Sequence, residues 1–369
     1  MPKKVVDPRK LVEYLQILGP RNISAIAREV GHHPETVRYW VGKLNNMGFR
    51  CVPVINYAKF GLRPVISILR LSKVLHGHEM SFGKLLAEVA YCSFFARTLF
   101  DKSLIAYFYL PADKTSAFLE FMNKLKEMEL VEAYKAYVTS ARVPLPFRPE
   151  FFDFQHRTWS INWKELDSVG QPILAEDLQP SLFDALDVKM ARAIQKNPAE
   201  EFMGLAAEID KKLTLKTVLY HYKAHLVGRR LLSGYNVLWT GEPAITPAHR
   251  VLYPKIWLEN LTYSEYVSAL GALTSLPFSW AIFYNDDRTF LYSEAVIPQY
   301  QFIEAATWLS ERLPPEVAAK LRIAFIDRNT ATAYLFPSHM FDASSGRWLF
   351  DSDIAVRAVQ LLQKEITAR

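Results

Sequence analysis

Cysteine is almost absent from this 369-residue chain: Cys51 and Cys92 are the two present, each in apolar, strand-like surroundings without a partner pattern. That scarcity excludes a disulfide scaffold and a thiolate metal cluster, and it fits two buried small hydrophobes in a reducing, cytoplasmic protein. Long apolar runs are missing as well. Lys, Arg, Asp or Glu interrupts each one short of the ~20 residues of a membrane span, so no membrane partner is expected. The start, Met1 to Pro8, lacks the hydrophobic stretch of a secretory signal. Charged residues are few, at 22%, against 50% apolar ones. A disordered chain is therefore excluded, and two to four packed modules are expected.

What the chain does have is a pattern written twice. Ala25 to Val30 followed by Pro34 to Trp40 reads as two short helices joined by a tight turn. Leu205 to Ile209 followed by Leu215 to His221 repeats it, with Thr-Val-x-Tyr at the same place in both second helices. Paired helix-turn-helix modules are the expectation, with double-stranded DNA as partner. Charge follows the same division. Residues 1–50 carry a balance of +5 and residues 187–231 one of +4, against +6 for the whole chain, which leaves −3 elsewhere. A positive field confined to the two modules suits a phosphate-binding surface.

Between and after these modules the pattern alternates strand and helix. Asp7-Pro8 opens a first helix, Gly19-Pro20 stops it, Asn22 can cap the second, and Pro34 opens the third. Arg50 to Ile55 reads as a wing strand. Strands at Val65–Leu71, Ser93–Leu99, Leu104–Leu110 and Val131–Val138 with helices at Phe82–Val89 and Lys114–Met128 give the order β-α-β-β-α-β of a ferredoxin-like sandwich. Asp101 to Ser103 is polar enough for its middle hairpin. The same order returns with strands near Ile256–Leu258, Trp280–Tyr284, Thr289–Ala295 and Leu321–Ile326 and helices at Tyr263–Leu273 and Phe302–Leu313. The expected fold class is α+β: two winged helix-turn-helix domains (1–58 and 184–245) alternating with two ferredoxin-like sandwiches (59–140 and 250–330). A stretch rich in proline and aromatics, 141–183, reads as a packed linker, and 331–369 as a tail ending in a helix.

Ala27 to Gly31, Pro34 to Tyr39, Val54-Ile55-Asn56-Tyr57 and Phe60-Gly61-Leu62 together resemble the archaeal Lrp/AsnC family of transcription regulators. The resemblance implies a winged helix-turn-helix followed by a βαββαβ effector domain, control by a small-molecule effector, and dimerisation. The chain could meet the last requirement as a homodimer or as an intrachain pseudo-dimer. The family's Gly-x-x-Asp signature at the middle hairpin is replaced here by Leu99-Phe100-Asp101 and by Asn285-Asp286-Asp287, neither with the glycine.

A reader helix offers outward side chains to base edges while basic groups hold phosphates. In the first module the candidates are His33 (also a helix cap), Thr36, Arg38, Tyr39 and Lys43. The planar fork of Arg38 suits guanine. In the second they are Lys211, Lys212, Thr214, Lys216, Thr217, Tyr220 and Lys223, with Leu219 outward where the first module has Arg38, so the second module should discriminate less between sequences. No H-E-x-x-H, C-x-x-C, phosphate loop or dinucleotide fingerprint occurs. The nine histidines look scattered, and His76-Gly77-His78, the one pair with a metal-like look, reads as a polar loop. No catalytic, cofactor or metal site is expected, and the chain is expected to be a cytoplasmic, nucleoid-associated regulator rather than an enzyme. Two alternatives stand beside this reading. One is an architectural DNA binder with little sequence preference. The other is catalysis, because Lrp-like folds in two copies also occur in sirohaem decarboxylases. Phe94, Phe95, Tyr107, Tyr109, Phe283 and Tyr292 could line a ligand site, though such alternating aromatics are more often sheet core.

Overall fold

A computed structural model of the protein describes residues 6–101, 103–166, 178–241 and 250–367. Lys102 of the expected turn, Pro172, His249 and the expected boundary at 245 lie outside the described residues. The first module is α1 (Pro8–Leu18), α2 (Ile23–Val30) and α3 (Pro34–Asn46). Asp7 caps α1 by accepting from the Arg9 amide, and Gly19, at φ +76°, ends it. Asn22 does not cap α2 as expected: its side chain turns back and donates to the Leu18 carbonyl.

β1 (Phe49–Ile55) leads into β2 (Leu62–Leu71), α4 (Glu79–Val89), β3 (Cys92–Arg97), β4 (Leu104–Pro111), α5 (Thr115–Glu127) and β5 (Val131–Val138). β6 (Ala141–Pro144) and a small hairpin, β7 (Phe152–Asp153) with β8 (Thr158–Trp159), follow. The second half restarts with α6 (Ala185–Lys196), α7 (Phe202–Ile209) and α8 (Leu215–Tyr220), the last continuing as a π-helical turn, His221–Val227. After it come β9 (Leu232–Trp239), β10 (Val251–Leu252), β11 (Pro254–Leu258), α9 (Tyr263–Ser275), β12 (Ser279–Tyr284), β13 (Leu291–Ala295), β14 (Ile297–Pro298), α10 (Phe302–Arg312), α11 (Pro315–Ala318) and β15 (Arg322–Phe325). β16 (Thr332–Ala333), the hairpin β17 (Phe341–Asp342) with β18 (Arg347–Trp348), and α12 (Ser352–Thr367) close the chain.

Each sandwich has the order expected of βαββαβ, and each borrows a fifth strand from the other. The sheets run β16-β3-β4-β2-β5 and β15-β11-β13-β12-β6. β6 leaves the first half to pair with β12, and β16 leaves the second half to pair with β3. The two sheets meet face to face through Ile66, Ile105, Tyr107, Phe283, Tyr292 and Ile326. The helix-turn-helix modules are exchanged too. The first shares its core with the second sandwich, through Leu11, Ile26, Val37, Leu258, Leu273 and Leu309. The second shares its core with the first sandwich and α12, through Ile194, Val218, Leu69, Phe121 and Val359.

The wing strand completes the exchange. β1 does not fold back on its own module; it pairs antiparallel with β9, from Phe49 opposite Trp239 to Ile55 opposite Leu232. An antiparallel pair has a local two-fold axis, so β1 and β9, each of which follows its own helix-turn-helix module, are related by one within this chain. β9 is the counterpart of β1 that the sequence reading did not place. The hairpins are duplicated as well. Asp153 accepts from the amides of Gln155 and His156, and Asp342 from those of Ser344 and Ser345. Arg157 and Gly346 then take the same left-handed turn position, at φ 58° and 66°.

Candidate nucleic-acid interface and ligand cavity

α3 presents the residues expected to read DNA. Val37 and Leu44 are buried, while Arg38 and Tyr39 stand exposed, Tyr39 by 69%. Pro34 starts the helix, and His33 caps it by accepting at Nδ1 from the Glu35 amide at 3.3 Å. Arg38 is joined to Glu35 one turn back, which holds its fork along the helix surface. Lys43 and Thr36 are half-buried. The Lys43 ammonium sits 4.2 Å from the centroid of the Trp40 ring.

In the second module Thr214 caps α8 by accepting from the Thr217 amide at 3.2 Å, and its hydroxyl lies 2.9 Å from that of Thr217. Lys211, Lys212, Lys216, Tyr220 and Lys223 are exposed, with Thr217 half-buried. Leu219, expected to point outward as Arg38 does, is half-buried like Thr217, and Leu215 and Tyr220 are exposed. The candidates thus form two surfaces on two modules and do not converge on one point. The second surface carries more lysine than the first.

The sequence reading missed a cavity of ≈430 Å³ where β9 meets the second sheet. Trp159, Trp239, Phe278 and Trp280 supply aromatic walls, and Lys255 and Arg328 its cationic ones. Of the six aromatics singled out from the sequence, Phe94 lines this space, whereas Phe95, Tyr107, Tyr109, Phe283 and Tyr292 are buried in the cores. The matching place in the other half, at the ends of β1 and β4, is nearly filled. Tyr57 stacks on Tyr109 there at 3.6 Å between centroids, leaving ≈20 Å³. The duplicated tryptophans differ in the same sense. Trp348 donates its indole N–H to the Phe60 carbonyl at 2.7 Å, but the buried indole N–H of Trp159 has no partner among the described residues. A buried donor without an acceptor is costly, and an acceptor on a bound ligand would relieve it.

Beside the cavity three charges are packed between the sheets. Glu294 receives Lys255 Nζ on Oε1 at 2.8 Å and Arg142 Nη2 on Oε2 at 3.2 Å. Burial would raise the Glu294 carboxyl, but Lys255 and Arg142 outweigh it and hold it below its ordinary value. Burial lowers the Lys255 ammonium against the pull of Glu294. Tyr107 and Tyr292 share a hydrogen bond at 2.7 Å, and burial drives both phenols well above their usual range.

No family model matches the chain, and no curated protein does. Among solved structures the chain is similar to the siroheme decarboxylase NirDL, at 14% identity and TM-score 0.54 over 97% of both chains. It is also similar to the same enzyme in co-complex with an iron-uroporphyrin III analogue, at 13% identity and TM-score 0.53 over 86% of this chain and 90% of that one. Escherichia coli AsnC aligns over 36% of this chain and 91% of its own, at 13% identity and TM-score 0.28, too low to argue from. The likeness to NirDL shows the fold: a duplicated α+β architecture. It also corrects the expectation that the chain is not an enzyme, because the full-length match is to one, and paired reader modules do not mark a chain as non-catalytic. Among the described residues no helix is long and apolar enough to cross a membrane.

Proposed function

We propose that this protein binds double-stranded DNA through its two reader helices and that a small, largely aromatic ligand in the cavity governs that binding. The observation that carries the reading is the β1–β9 ladder, a local two-fold inside one chain whose two strands each follow a helix-turn-helix module. Such an arrangement suits two half-sites about one helical turn, ~34 Å, apart. Arg38 serves as the base reader. Lys211, Lys212, Lys216 and Lys223 hold phosphates. The cavity touches Val237 to Thr240 at the end of β9, the strand that ties the second module to its sheet, so an occupant bears directly on the ladder. The test is fluorescence anisotropy of the full chain with labelled duplex across a salt series. Binding that weakens linearly with the logarithm of salt supports the reading, and no binding at low salt refutes it.

A second reading is catalysis in the cavity, favoured by the Lys255–Glu294–Arg142 cluster at its wall. Buried ionic groups at a cleft are where enzymes place tuned acids and bases. A uroporphyrin-like substrate does not fit this cavity. That macrocycle is a planar polycarboxylate, whereas Lys255 is engaged by Glu294 and Arg328 lies 5.5 Å from the Tyr253 ring, in walls that are otherwise mostly aromatic. A smaller aromatic acid suits the site better. Native mass spectrometry of the purified chain, followed by incubation with the recovered ligand, separates the readings: chemical change of the ligand supports catalysis, and its return unaltered supports a sensor.

A further inference from the structure

We infer that the second helix-turn-helix module contains a binding site for one divalent transition metal of the zinc class, formed by Asp184, Asp187, His221 and His225. One ligand atom from each lies within 4.8 Å of all the others. His221 Nδ1 is 2.9 Å from Asp187 Oδ1 and 3.9 Å from Asp184 Oδ1, and His225 Nδ1 is 2.9 Å from Asp187 Oδ2. Four ligands around a zinc ion at ~2.0–2.1 Å are spaced by about 3.3 Å in a tetrahedron, so the observed separations need only small shifts. Two imidazoles and two carboxylates, with no thiolate, form a donor set suited to zinc or cobalt.

The local fold delivers these donors. Asp184 caps α6 and Asp187 closes the capping box, which fixes both carboxylates at the start of one helix. His221 and His225 stand four residues apart on the π-helical turn, their rings edge to face with centroids 4.4 Å apart. π-Helical turns of this kind occur frequently at functional sites. Asp187 is fully buried and the His225 side chain nearly so, while the Asp184 side chain is 53% exposed, which leaves one side open for an ion to enter.

The fold does not require polar groups here. Counting on from the shared Thr-Val-x-Tyr, the first module has Trp40 and Leu44 where the second has His221 and His225, and Leu44 is ordinary core. Two imidazoles have taken places that Trp40 and Leu44 fill in the twin module, a costly exchange unless the cluster binds something. Without metal, both Nδ1 atoms can donate to Asp187. A bound ion would take the place of those hydrogens, with each neutral ring then carrying its proton at Nε2. The ion joins the first helix of this module to the end of its reader helix. The cluster stands apart from the cavity, and the inference holds whether or not the chain binds DNA.

The test uses the full chain, stripped with chelator and titrated with Co²⁺ for its visible absorption and with Zn²⁺ against a chromophoric competitor. One ion per chain, with the intense visible bands of tetrahedral cobalt and a rise in melting temperature with zinc, is the expected result. His221→Gln should lose the bands and weaken zinc binding by more than about tenfold, the least that even an outer partner of a metal ligand is worth. The exposed Asp184→Asn should weaken it while circular dichroism stays unchanged, which guards against a variant that merely unfolds. His156→Gln alters the other His–Asp pair, His156 with Asp153 at 2.6 Å, and should change nothing. No cobalt bands in the parent chain, or bands that survive His221→Gln and Asp184→Asn, would overturn the assignment.

Discussion

Glu294→Gln is the substitution whose cost the geometry defines best. Glu294 is 2% exposed and is the shared counter-charge of Lys255, itself 3% exposed, and of Arg142. Removing one partner of a buried ionic cluster leaves charge without compensation, at a cost of ~3–5 kcal/mol. Lys255→Met should cost less, ~1–3 kcal/mol, because Glu294 keeps the Arg142 guanidinium at 3.2 Å. The double variant should recover part of the Glu294→Gln loss, since Lys255 is then no longer a buried cation. The pH dependence has a definite sign. The Glu294 carboxyl titrates lower in the folded chain than in the unfolded one, so its stabilisation is present above the ordinary glutamate value. It fades as pH falls through the lowered folded value, and Glu294→Gln should flatten that acid limb. Urea unfolding followed by tryptophan fluorescence and by circular dichroism, at pH 7 and along an acid series, measures each quantity and checks that the two probes coincide. A loss below about 1 kcal/mol in Glu294→Gln, or a larger loss in Lys255→Met, would refute the reasoning.

Three further outcomes follow from the same structure. Arg38→Ala should cost ~1–3 kcal/mol at a selected DNA site and relax one base position; an equal loss on every sequence would reassign Arg38 to a phosphate. Lys223→Ala should weaken all sequences alike and reduce the salt slope by about 1, read from anisotropy titrations; an unchanged slope would place the second module off the DNA. Gly19→Ala should destabilise by ~1–3 kcal/mol in urea, because Gly19 sits at φ +76° and a Cβ there would fall inside the Tyr235 ring; a neutral result would mean that α1 and β9 are not packed as described.

The elements legible in the sequence were those with a strong local period. β5 matches its expected span, and α9, α10 and the strands of both sandwiches fall within a few residues of theirs. β9 escaped because Ser233, Gly234 and Asn236 interrupt its alternation and read as turn residues; its strand character comes from the partner β1. The exchange of β6 and β16 between sheets was invisible for a related reason: register and sheet membership are tertiary choices, and two- to four-residue strands have no period to read. The outward face of α3 was legible because burial follows the 3.6-residue repeat. The cavity draws Phe94, Trp159, Trp239 and Lys255 from segments far apart in the chain, so no local pattern announces it. The Asp184–Asp187–His221–His225 cluster did leave a signal, an Asp-x-x-Asp and a His-x-x-x-His. The signal was diluted because the two pairs are separated by more than thirty residues and the nine histidines look scattered.

The measurement that bears most directly on paired reading is selection of bound fragments from random duplex DNA by the full chain, with the winners' affinities followed across salt. The account predicts a recovered motif with two half-sites about one helical turn, ~34 Å, apart, and a loss of affinity when half a turn is inserted between them. Salt-sensitive binding without a motif, or a motif indifferent to that insertion, would contradict it.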